Sequence, residues 1–246
     1  MISLDSILLL IFSGLGMVLL TENGSPVIFF LIFACLFCYL IVDVTQKKDS
    51  YYHHVKVALI SAIIFFSVVV PLLTNVVLRH KTQPHLFVHD NPIQMEEGVK
   101  YLLAGKNPYA ETYFSTPLKN WKYIRWGKIL PNPTLNHFIA LPTHILLSAP
   151  VYGLAKTTIG WYDQRFIYLI AFTVSIYLAY SLTKKRENKL LALMFIGLNP
   201  LLTNHFVEGR NDILVVALIL PTIYLLKKNK IKTSSVFMAL AATTKH

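Results

Sequence analysis

The sequence predicts an all-α, polytopic membrane protein with about seven transmembrane helices. Of its 246 residues, 54% are hydrophobic and only 14% are charged, and the mean hydropathy is +0.53. These values lie outside the usual range of soluble globular domains. The polar residues concentrate in one long region, 79–133, which separates apolar runs of helical length. We therefore expect a helical bundle in the membrane and one large loop outside it.

The apolar runs define the candidate membrane helices in order along the chain. A helix needs about 20 residues to cross a bilayer, and somewhat fewer when flanking side chains snorkel. The first run is not followed by a small-residue cleavage site, so we interpret it as a retained helix. The runs are 4–20, 26–42, 57–78, 134–155, 166–183, 190–206, 212–226 and 233–244.

Basic residues predict which connections face the cytoplasm. The net charge of +11 comes mostly from Lys and Arg in short clusters between apolar runs. That pattern is typical of positive-inside topology signals and argues against nucleic-acid binding. The clusters are Lys47, Lys48 and Lys56; Lys184, Lys185, Arg186 and Lys189; and Lys227, Lys228, Lys230 and Lys232.

Three apolar runs lie between the first and the second basic cluster, and an odd number of crossings would put these clusters on opposite sides of the membrane. The two clusters therefore share one side only if one of the three runs does not cross. The run 134–155 is the candidate, because it contains polar side chains and prolines that would leave groups unsatisfied in lipid. We predict a re-entrant or interfacial helix pair there, which puts 79–165 outside and the N-terminus and 43–56 inside, with 21–25 outside. The rival topology, in which 134–155 crosses, places two basic clusters outside.

The outer loop 79–165 begins with a predicted amphipathic helix. Asn91 is a favoured N-cap, Pro92 suits the first helical position, and Gly105 ends the helix. This places Asp90 just before the cap, at the anion-friendly end of the helix. The apolar face is expected to contain Met95, Val99, Leu102 and Leu103.

Aromatic and basic residues alternate later in the same loop. Trp121, Tyr123 and Trp126 are interleaved with lysine and arginine. Such a cluster is typical of an interfacial belt that anchors to lipid headgroups. The alternative is that some of the cations contact a phosphate carried on a lipid.

A second polar constellation follows the run 190–206. Glu208, Arg210, Asn211 and Asp212 lie together at the predicted outer end of an apolar helix, where polar groups are costly unless they face water or one another. A functional site is one interpretation, and an ordinary polar loop with Asp212 at a helix start is the other. Lys245 ends a later Ala-rich run and is either part of the site or a snorkelling lysine.

These blocks resemble the C superfamily of polytopic glycosyltransferases, which use polyprenol-linked sugars. The residues that resemble its first outer loop are 90–94 and 103–109. The segment 209–212, the apolar helix after it, a basic turn and the helix ending in Lys245 resemble the next blocks in order and spacing. Within the superfamily, the chain most resembles the polyprenol-phosphate-mannose-dependent mannosyltransferases.

The resemblance implies a role for each matching residue. Asp90 corresponds to the general base that deprotonates the acceptor hydroxyl in an inverting transfer. Asp212, with Asn211 beside it, corresponds to the second outer acidic position, and Arg210 and Lys245 are candidates to neutralise the departing phosphate. Further substrate contacts are expected from Gln94, Asn107, Tyr109, Asn132 and His137.

The resemblance also implies the partners and the location. The donor is expected to be a polyprenyl-phosphate-linked hexose such as mannose, and the acceptor a glycan, glycolipid or protein on the extracytoplasmic face of a cell membrane. No cofactor or metal is expected, since monophosphate lipid donors usually need none. Residues 1–56 are expected to be two additional N-terminal helices before a glycosyltransferase-like module, 57–246, that continues beyond His246 in a longer protein.

Two other functions remain open from the residues alone. A transporter or flippase for a lipid-linked substrate also uses proline-broken helices and intramembrane polar groups. A non-catalytic membrane subunit that binds such substrates or scaffolds a partner is the other alternative.

Overall fold

A computed structural model describes residues 3–20, 25–45 and 50–245. The described chain is mainly helical, as the sequence predicts. Its α-helices are α1 (Leu4–Leu20), α2 (Pro26–Val44), α3 (Ser50–Ile64), α4 (Val70–Lys81), α5 (Asp90–Leu103), α6 (Pro142–Thr158), α7 (Arg165–Leu182), α8 (Arg186–Gly197), α9 (Pro200–Glu208), α10 (Asp212–Lys227) and α11 (Ile231–Ala242).

Helices α3 and α4 form one helix of 32 residues, Ser50–Lys81, joined by a π-helical turn at Phe65–Val69. The backbone N–H of Val70 bonds the carbonyl of Phe65, five residues back. Pro71 follows directly and has no N–H to donate, and a widened turn accommodates such a proline without ending the helix.

Within the described residues, three helices are long and apolar enough to cross a membrane: α2, the joined α3–α4 helix, and α7. Helices α8 and α9 make a fourth candidate if they count as one span, bent by 41°. The break falls at Asn199–Pro200, where proline cannot continue the hydrogen bonding of the preceding helix. The chain is thus a membrane protein, and the predicted count of about seven spans stays a prediction.

The predicted helix pair in 134–155 is wrong in detail. The segment contains a 3₁₀ turn, Pro133–Leu135, and then one α-helix, α6. Pro142 falls at the first turn of α6, where its missing N–H costs little, and the helix starts only there. Whether this segment avoids crossing the membrane stays a prediction.

The described chain divides into two compact units. The first comprises Met1–Leu73 and Phe172–Val207. In it, Lys56 Nζ lies 2.7 Å from Asp5 Oδ2 and 2.5 Å from Asp43 Oδ1, so one cation joins α1, α2 and α3. Paired charges of this kind avoid the cost of an isolated charge in an apolar bundle. Lys56 therefore has a packing role besides the topology signal predicted for its cluster.

Lys47 and Lys48, and the connection 21–24, lie outside the described residues. The predicted division of the chain between residues 56 and 57 does not coincide with the two compact units. That division, which rests on the resemblance, stays a prediction.

The second unit comprises Thr74–Ala171 and Glu208–His246 and includes the predicted outer loop. Helix α5 crosses its core, where Ile93, Met95 and Val99 pack on residues from the loop that follows, including Tyr113 and Phe138. Met95 and Val99 are buried as predicted and Leu102 packs against the cluster at its edge, whereas Leu103 is 58% exposed. The helix is buried more deeply than the surface helix that the sequence predicts, because the loop covers it.

A β-hairpin lies in this unit, which the all-α prediction missed. Strands β1 (Tyr123–Arg125) and β2 (Lys128–Leu130) are antiparallel, with Ile124 opposite Ile129. Trp126 and Gly127 connect them with φ of 51° and 70°. Positive φ at both central residues is typical of a tight hairpin turn with glycine in the second position. Strands of three residues are too short to give a clear alternation in the sequence.

Candidate functional site

Asp90 is the first residue of α5, and His89 is the N-cap, so the predicted cap at Asn91 is wrong. His89 has an extended backbone, φ −71° and ψ 164°, and the helix begins directly after it. Pro92 then occupies the third helical position, still within the turn whose N–H groups have no helical partner. The correction places the carboxylate of Asp90 at the positive end of the helix dipole, which favours its anionic form.

Both oxygens of the Asp90 carboxylate have a partner. His89 Nδ1 lies 2.6 Å from Asp90 Oδ1, and Asn132 Nδ2 donates to Asp90 Oδ2 over 3.1 Å. Burial raises the pKa of Asp90, but His89, Asn132 and the backbone N–H of Asn91 outweigh it, so the pKa lies below its ordinary value. The buried carboxylate is therefore ionised at neutral pH.

Two groups lie within hydrogen-bonding distance of His89 Nδ1, and they require opposite roles of this atom. The backbone N–H of Asn91 points at His89 Nδ1 over 3.4 Å, which would require Nδ1 to accept. The contact of 2.6 Å to Asp90 requires Nδ1 to donate. The shorter, charge-assisted contact decides the assignment, so Nδ1 carries the proton and orients the carboxylate.

Asn132 is held in place by its own local turn. Its Oδ1 accepts from the backbone N–H of Thr134 at 3.0 Å and from the Thr134 hydroxyl at 2.7 Å. This fixes the direction of the amide and leaves Nδ2 free to reach Asp90. Asn132 was predicted to contact substrate, and the structure places it in direct contact with the proposed base.

Gln94, one turn along α5 from Asp90, is buried and fully engaged with backbone. Its Nε2 donates to the carbonyls of Thr134 at 2.6 Å and His137 at 2.8 Å. Its Oε1 accepts from the N–H of Ile139 at 3.2 Å. A buried amide with these partners fastens the segment 132–139 to α5. The substrate contact predicted for Gln94 stays a prediction, and its visible role is to position the segment that contains Asn132.

The second polar constellation packs directly on the first. The backbone N–H of His89 donates to the carbonyl of Glu208 over 2.8 Å. Gly209 has φ +92°, and a Cβ on it would lie 2.6 Å from Pro92 Cγ. Only glycine accepts both the backbone conformation and the close approach. The structure thus brings together the two blocks that the sequence singled out, at 89–92 and 208–212.

The cations of the second constellation are paired with acids at its exposed edge. Lys245 Nζ lies 2.6 Å from Asp212 Oδ1, with side chains 43% and 37% exposed. Arg210 Nε lies 2.9 Å from Glu208 Oε2, and these side chains are also partly exposed. Asp212 begins α10 and Lys245 follows α11, so the pairing joins the start of α10 to the end of α11.

A buried network behind these residues was missed by the sequence reasoning. His144 Nε2 lies 3.0 Å from the Tyr168 hydroxyl, which donates to Asn91 Oδ1 over 2.9 Å. His144 Nδ1 lies 3.4 Å from the side-chain amide of Asn211. Burial, and then the charge of Lys245, lower the pKa of His144 to about 3. A neutral imidazole therefore links α5, α6, α7 and the start of α10.

A second missed network consists of two arginines and two acids. Arg79 binds Glu96 through both terminal nitrogens, at 2.7 and 2.8 Å, and Asp163 at 2.9 Å. Arg165 binds Asp163 at 2.8 Å and is fully buried. Burial raises the pKa of Asp163, but Arg165 and Arg79 outweigh it and lower that pKa to about 2. The four charges balance, as buried charges must.

Arg165 also supports the backbone that leads to Asp90. Its Nη1 donates to the carbonyl of Phe87 over 2.8 Å, and Phe87 has a φ of 56°. A bulky residue in this left-handed conformation is strained and persists only where its surroundings hold it. The sequence offered one indirect signal: four charged residues in an apolar chain must find partners, but which pairs form depends on long-range packing.

Other predicted site residues lie in the same unit without a described contact to Asp90. Asn107 is exposed, and its Oδ1 accepts from the N–H of Tyr109 at 3.1 Å. Tyr109 is 44% exposed and donates to the carbonyl of Ala140 over 2.8 Å. The side chain of His137 is exposed, and its carbonyl is held by Gln94. Among the described residues, no group of three or more His, Cys, Asp or Glu side chains is placed to hold a metal ion.

One comparison with known proteins gives a match. Residues 141–246 match the family described as alpha-(1->6)-mannopyranosyltransferase, N-terminal domain. The matched range includes Arg210, Asn211, Asp212 and Lys245 and begins after Asp90 and Asn132. No curated protein and no solved structure matches the chain.

Fold and comparison together define the class: a helical membrane protein in which residues 141–246 match a glycosyltransferase domain. The matched family is more specific, since its members are mannosyltransferases. The resemblance to mannosyltransferases of the polyprenol-phosphate-mannose-dependent type, stated from the sequence, is confirmed.

Proposed function

We propose that the chain forms the catalytic module of an inverting mannosyltransferase, with Asp90 as the general base. The supporting observation is the carboxylate of Asp90, which is buried, ionised, and held on both oxygens by His89 and Asn132. A fixed carboxylate of this kind has a second lone pair on each oxygen to accept a proton from a hydroxyl. The contact of Gly209 with Pro92 adds a second constellation beside it.

The proposed reaction is a single displacement at the anomeric carbon. Asp90 accepts the proton of an acceptor hydroxyl as that oxygen bonds to C1 of the mannosyl group. The bond from C1 to the phosphate oxygen breaks, and the electron pair leaves with the polyprenyl phosphate. Attack from the opposite face inverts the configuration, and the transition state resembles an oxocarbenium ion. A positioned base typically contributes about 10²–10⁴-fold to such a step.

The departing phosphate needs cations, and Arg210 and Lys245 supply them in this proposal. Both are partly exposed and paired with an acid, so a bound phosphate would replace or share those partners. Asp212 and Asn211 then contact sugar hydroxyls, and Asn107, Tyr109 and His137 extend the sugar site. We place the reaction on the extracytoplasmic face of the membrane, because the topology predicted from charge puts 79–165 there.

Replacement of Asp90 by Asn tests the proposal directly. The variant keeps the size and one hydrogen-bonding oxygen but cannot accept the proton, so we expect transfer to fall by about 10²–10⁴-fold. The measurement uses membranes containing the full chain, with radiolabelled polyprenyl-phosphate mannose as the donor. Glu111→Gln is the matched control, because Glu111 is a partly exposed loop acid whose carboxylate lies 3.6 Å from Lys106 Nζ. Wild-type transfer by Asp90→Asn would contradict the general-base role.

One observation favours a transporter-like alternative, in which the chain binds a lipid-linked substrate without transferring the sugar. Helices α8 and α9 are broken at Asn199–Pro200 with a bend of 41°, and broken helices are typical of transporter sites. In that case the donor would bind to reconstituted protein and cross the bilayer with its sugar intact, and neither the wild type nor Asp90→Asn would transfer the sugar.

The side of the membrane is tested separately by labelling cysteines in intact cells. Exposed Asn107 in the loop and exposed Arg186 at the start of α8 suit this test. A membrane-impermeant maleimide should react with Asn107→Cys and not with Arg186→Cys, in a background where Cys35 and Cys38 are serine. The opposite pattern would overturn the proposed topology.

A further inference from the structure

The β-hairpin presents an exposed apolar face. Ile124 and Ile129 are opposite one another across the two strands. Because side chains of directly opposed residues project from the same face of a hairpin, the two isoleucines form one patch. They are 62% and 68% exposed. Exposed β-branched pairs on a short hairpin need a partner surface to lower their contact with water.

The turn of the hairpin adds an aromatic tip. Trp126 is 80% exposed, the most exposed large apolar side chain in the outer loop. The guanidinium of Arg125 lies 4.4 Å from the centre of its ring. A tryptophan with an adjacent cation matches the chemistry of a membrane interface, where the ring meets lipid and the cation meets phosphate.

The base of the hairpin is fixed, in contrast to its tip. Trp121 packs against the buried cluster around α5, and its indole N–H donates to the carbonyl of Val88 over 3.0 Å. The predicted aromatic belt is therefore divided: Trp121 is partly buried against the core, and Trp126 is at the exposed end. We name residues 119–130 the hairpin arm. It is held at one end by the core of the second unit and is exposed at the other.

The arm is strongly basic and lacks acidic neighbours in sequence. Between Glu111 and Asp163 the chain contains no Asp or Glu. Within the described residues, the basic side chains of the arm are all exposed and take part in no ion pair with an acid. They are Lys119, Lys122, Arg125 and Lys128.

We propose that the hairpin arm docks on the outer leaflet of the membrane in which the chain is embedded. Ile124, Ile129 and Trp126 enter the interface, and the arm's basic side chains bind the phosphates of anionic phospholipids. The candidate membrane helices that end at Lys81 and begin at Arg165 flank the segment that contains the arm, so a bilayer surface is near it. Tethering of this kind makes even a weak surface contact effective. The proposal does not depend on sugar transfer.

Fluorescence of Trp126 in lipid nanodiscs tests the proposal. The chain has three tryptophans, so Trp121→Phe with Trp161→Phe leaves Trp126 as the only one. The full chain is placed in phosphatidylcholine nanodiscs with and without phosphatidylglycerol, using phospholipids brominated near the headgroup as quenchers. We expect blue-shifted emission and quenching several times stronger than for a variant in which Trp121 is the only tryptophan.

Variants separate the apolar and the electrostatic parts. Ile124→Ser with Ile129→Ser should lower the quenching of Trp126 in both lipid mixtures. Lys122→Gln, Arg125→Gln and Lys128→Gln together should lower it in the mixture with phosphatidylglycerol and have little effect in phosphatidylcholine. Equal quenching of the wild-type arm in the two mixtures would overturn the role of the cations.

A second measurement uses a label that does not require the tryptophan replacements. A nitroxide attached at Ile129→Cys, with Cys35 and Cys38 replaced by serine, reports its accessibility to oxygen and to a water-soluble nickel complex. Docking predicts greater access for oxygen than for nickel. Water-exposed accessibility at position 129 together with unquenched, red-shifted Trp126 would overturn the proposal. Blue-shifted emission without bromine quenching would also overturn it, by indicating a protein contact.

Discussion

His89 Nδ1 lies 2.6 Å from Oδ1 of its neighbour Asp90, and Asn132 holds the other carboxylate oxygen. Two adjacent residues meet in this way because one is the N-cap of α5 and the next begins the helix. The pairing lowers the pKa of Asp90 despite its burial. In the proposed reaction His89 is a positioning residue, and its effect is expected in both rate and pH dependence.

Replacement of His89 by Ala should lower the rate of mannosyl transfer and move the acid limb of its pH profile upward. Asp90 is active as the anion, so activity is lost as pH falls through its pKa. His89 lowers the pKa of Asp90 through its hydrogen bond and its charge. Removing His89 therefore raises the pKa of Asp90. We expect a loss of roughly tenfold or more in kcat. His89→Asn restores a donor and should recover part of both effects. An unchanged pH profile with a normal fold would contradict the positioning role.

Replacement of Gly209 by Ala should destabilise the protein and impair transfer. Its backbone has φ +92°, and a Cβ would lie 2.6 Å from Pro92 Cγ. The strained backbone alone costs about 1–3 kcal/mol, and the clash pushes the second constellation away from α5. Gly105→Ala is the matched control, since Gly105 has φ +74° with open space around it. Thermal unfolding in detergent compares the two, and equal losses would show that the contact with Pro92 is unimportant.

The stability of the second unit should fall as pH drops below about 6.5 because of His144. Burial, and then Lys245, lower the pKa of its imidazole from 6.5 to about 3 in the folded state. The folded protein therefore binds this proton less readily than the unfolded chain. The stabilisation is fully present above the unfolded pKa and is lost progressively on acidification, by up to about 1.4 kcal/mol per pH unit.

Thermal unfolding between about pH 7.5 and about pH 5 measures this dependence. The control is His144→Gln, which keeps a neutral hydrogen-bonding side chain and should lack most of the slope, whatever its stability at high pH. Asp163 acts in a separate window, since its lowered pKa of about 2 removes stability only in stronger acid. An identical slope in wild type and His144→Gln would contradict the prediction.

Arg165→Met alone should destabilise the protein more than the double variant that combines Arg165→Met with Asp163→Asn. Both side chains are almost fully buried. Removal of one member of a buried ion pair leaves an uncompensated charge and costs about 3–5 kcal/mol. The double variant removes one charge of each sign and leaves Arg79 with Glu96. We expect the double variant to be less destabilised than Arg165→Met alone, and so less than the sum of the single variants, as measured by thermal unfolding. Additive losses would show that the two charges are not coupled.

Local sequence rules predicted part of the site well and failed at specific points. A helix between an N-cap at Asn91 and a stop at Gly105 was expected because a capping signal and an apolar face agree there, and the structure has a helix at Asp90–Leu103. The cap itself was placed two residues late, since Asn91 and Pro92 both have strong cap preferences and His89 does not. The partners of Asp90 could not be predicted in full, because Asn132 is 42 residues away in the chain.

The networks around His144 and Arg165 show the same limit. His144 lies in an apolar context in the sequence, where a lone polar side chain gives no indication of its partner, and Arg165 has only the nearby Asp163 as a local candidate. Arg165 reaches the carbonyl of Phe87, 78 residues earlier, and His144 faces Asn211, 67 residues later. The physical requirement that buried polar groups be paired applies to both, but it does not specify the pairing.

By itself the sequence determined the class of protein and the elements of the site. Hydrophobicity and helix-length apolar runs require a membrane helical protein, and the acids and cations of 90–94 and 209–212 mark where chemistry is expected. Only the tertiary structure decided that these blocks touch, through Gly209 and Pro92, and that His89 orients Asp90. The physical reason is that hydropathy and capping act within a few residues, whereas close approach and ion pairing depend on packing between distant segments.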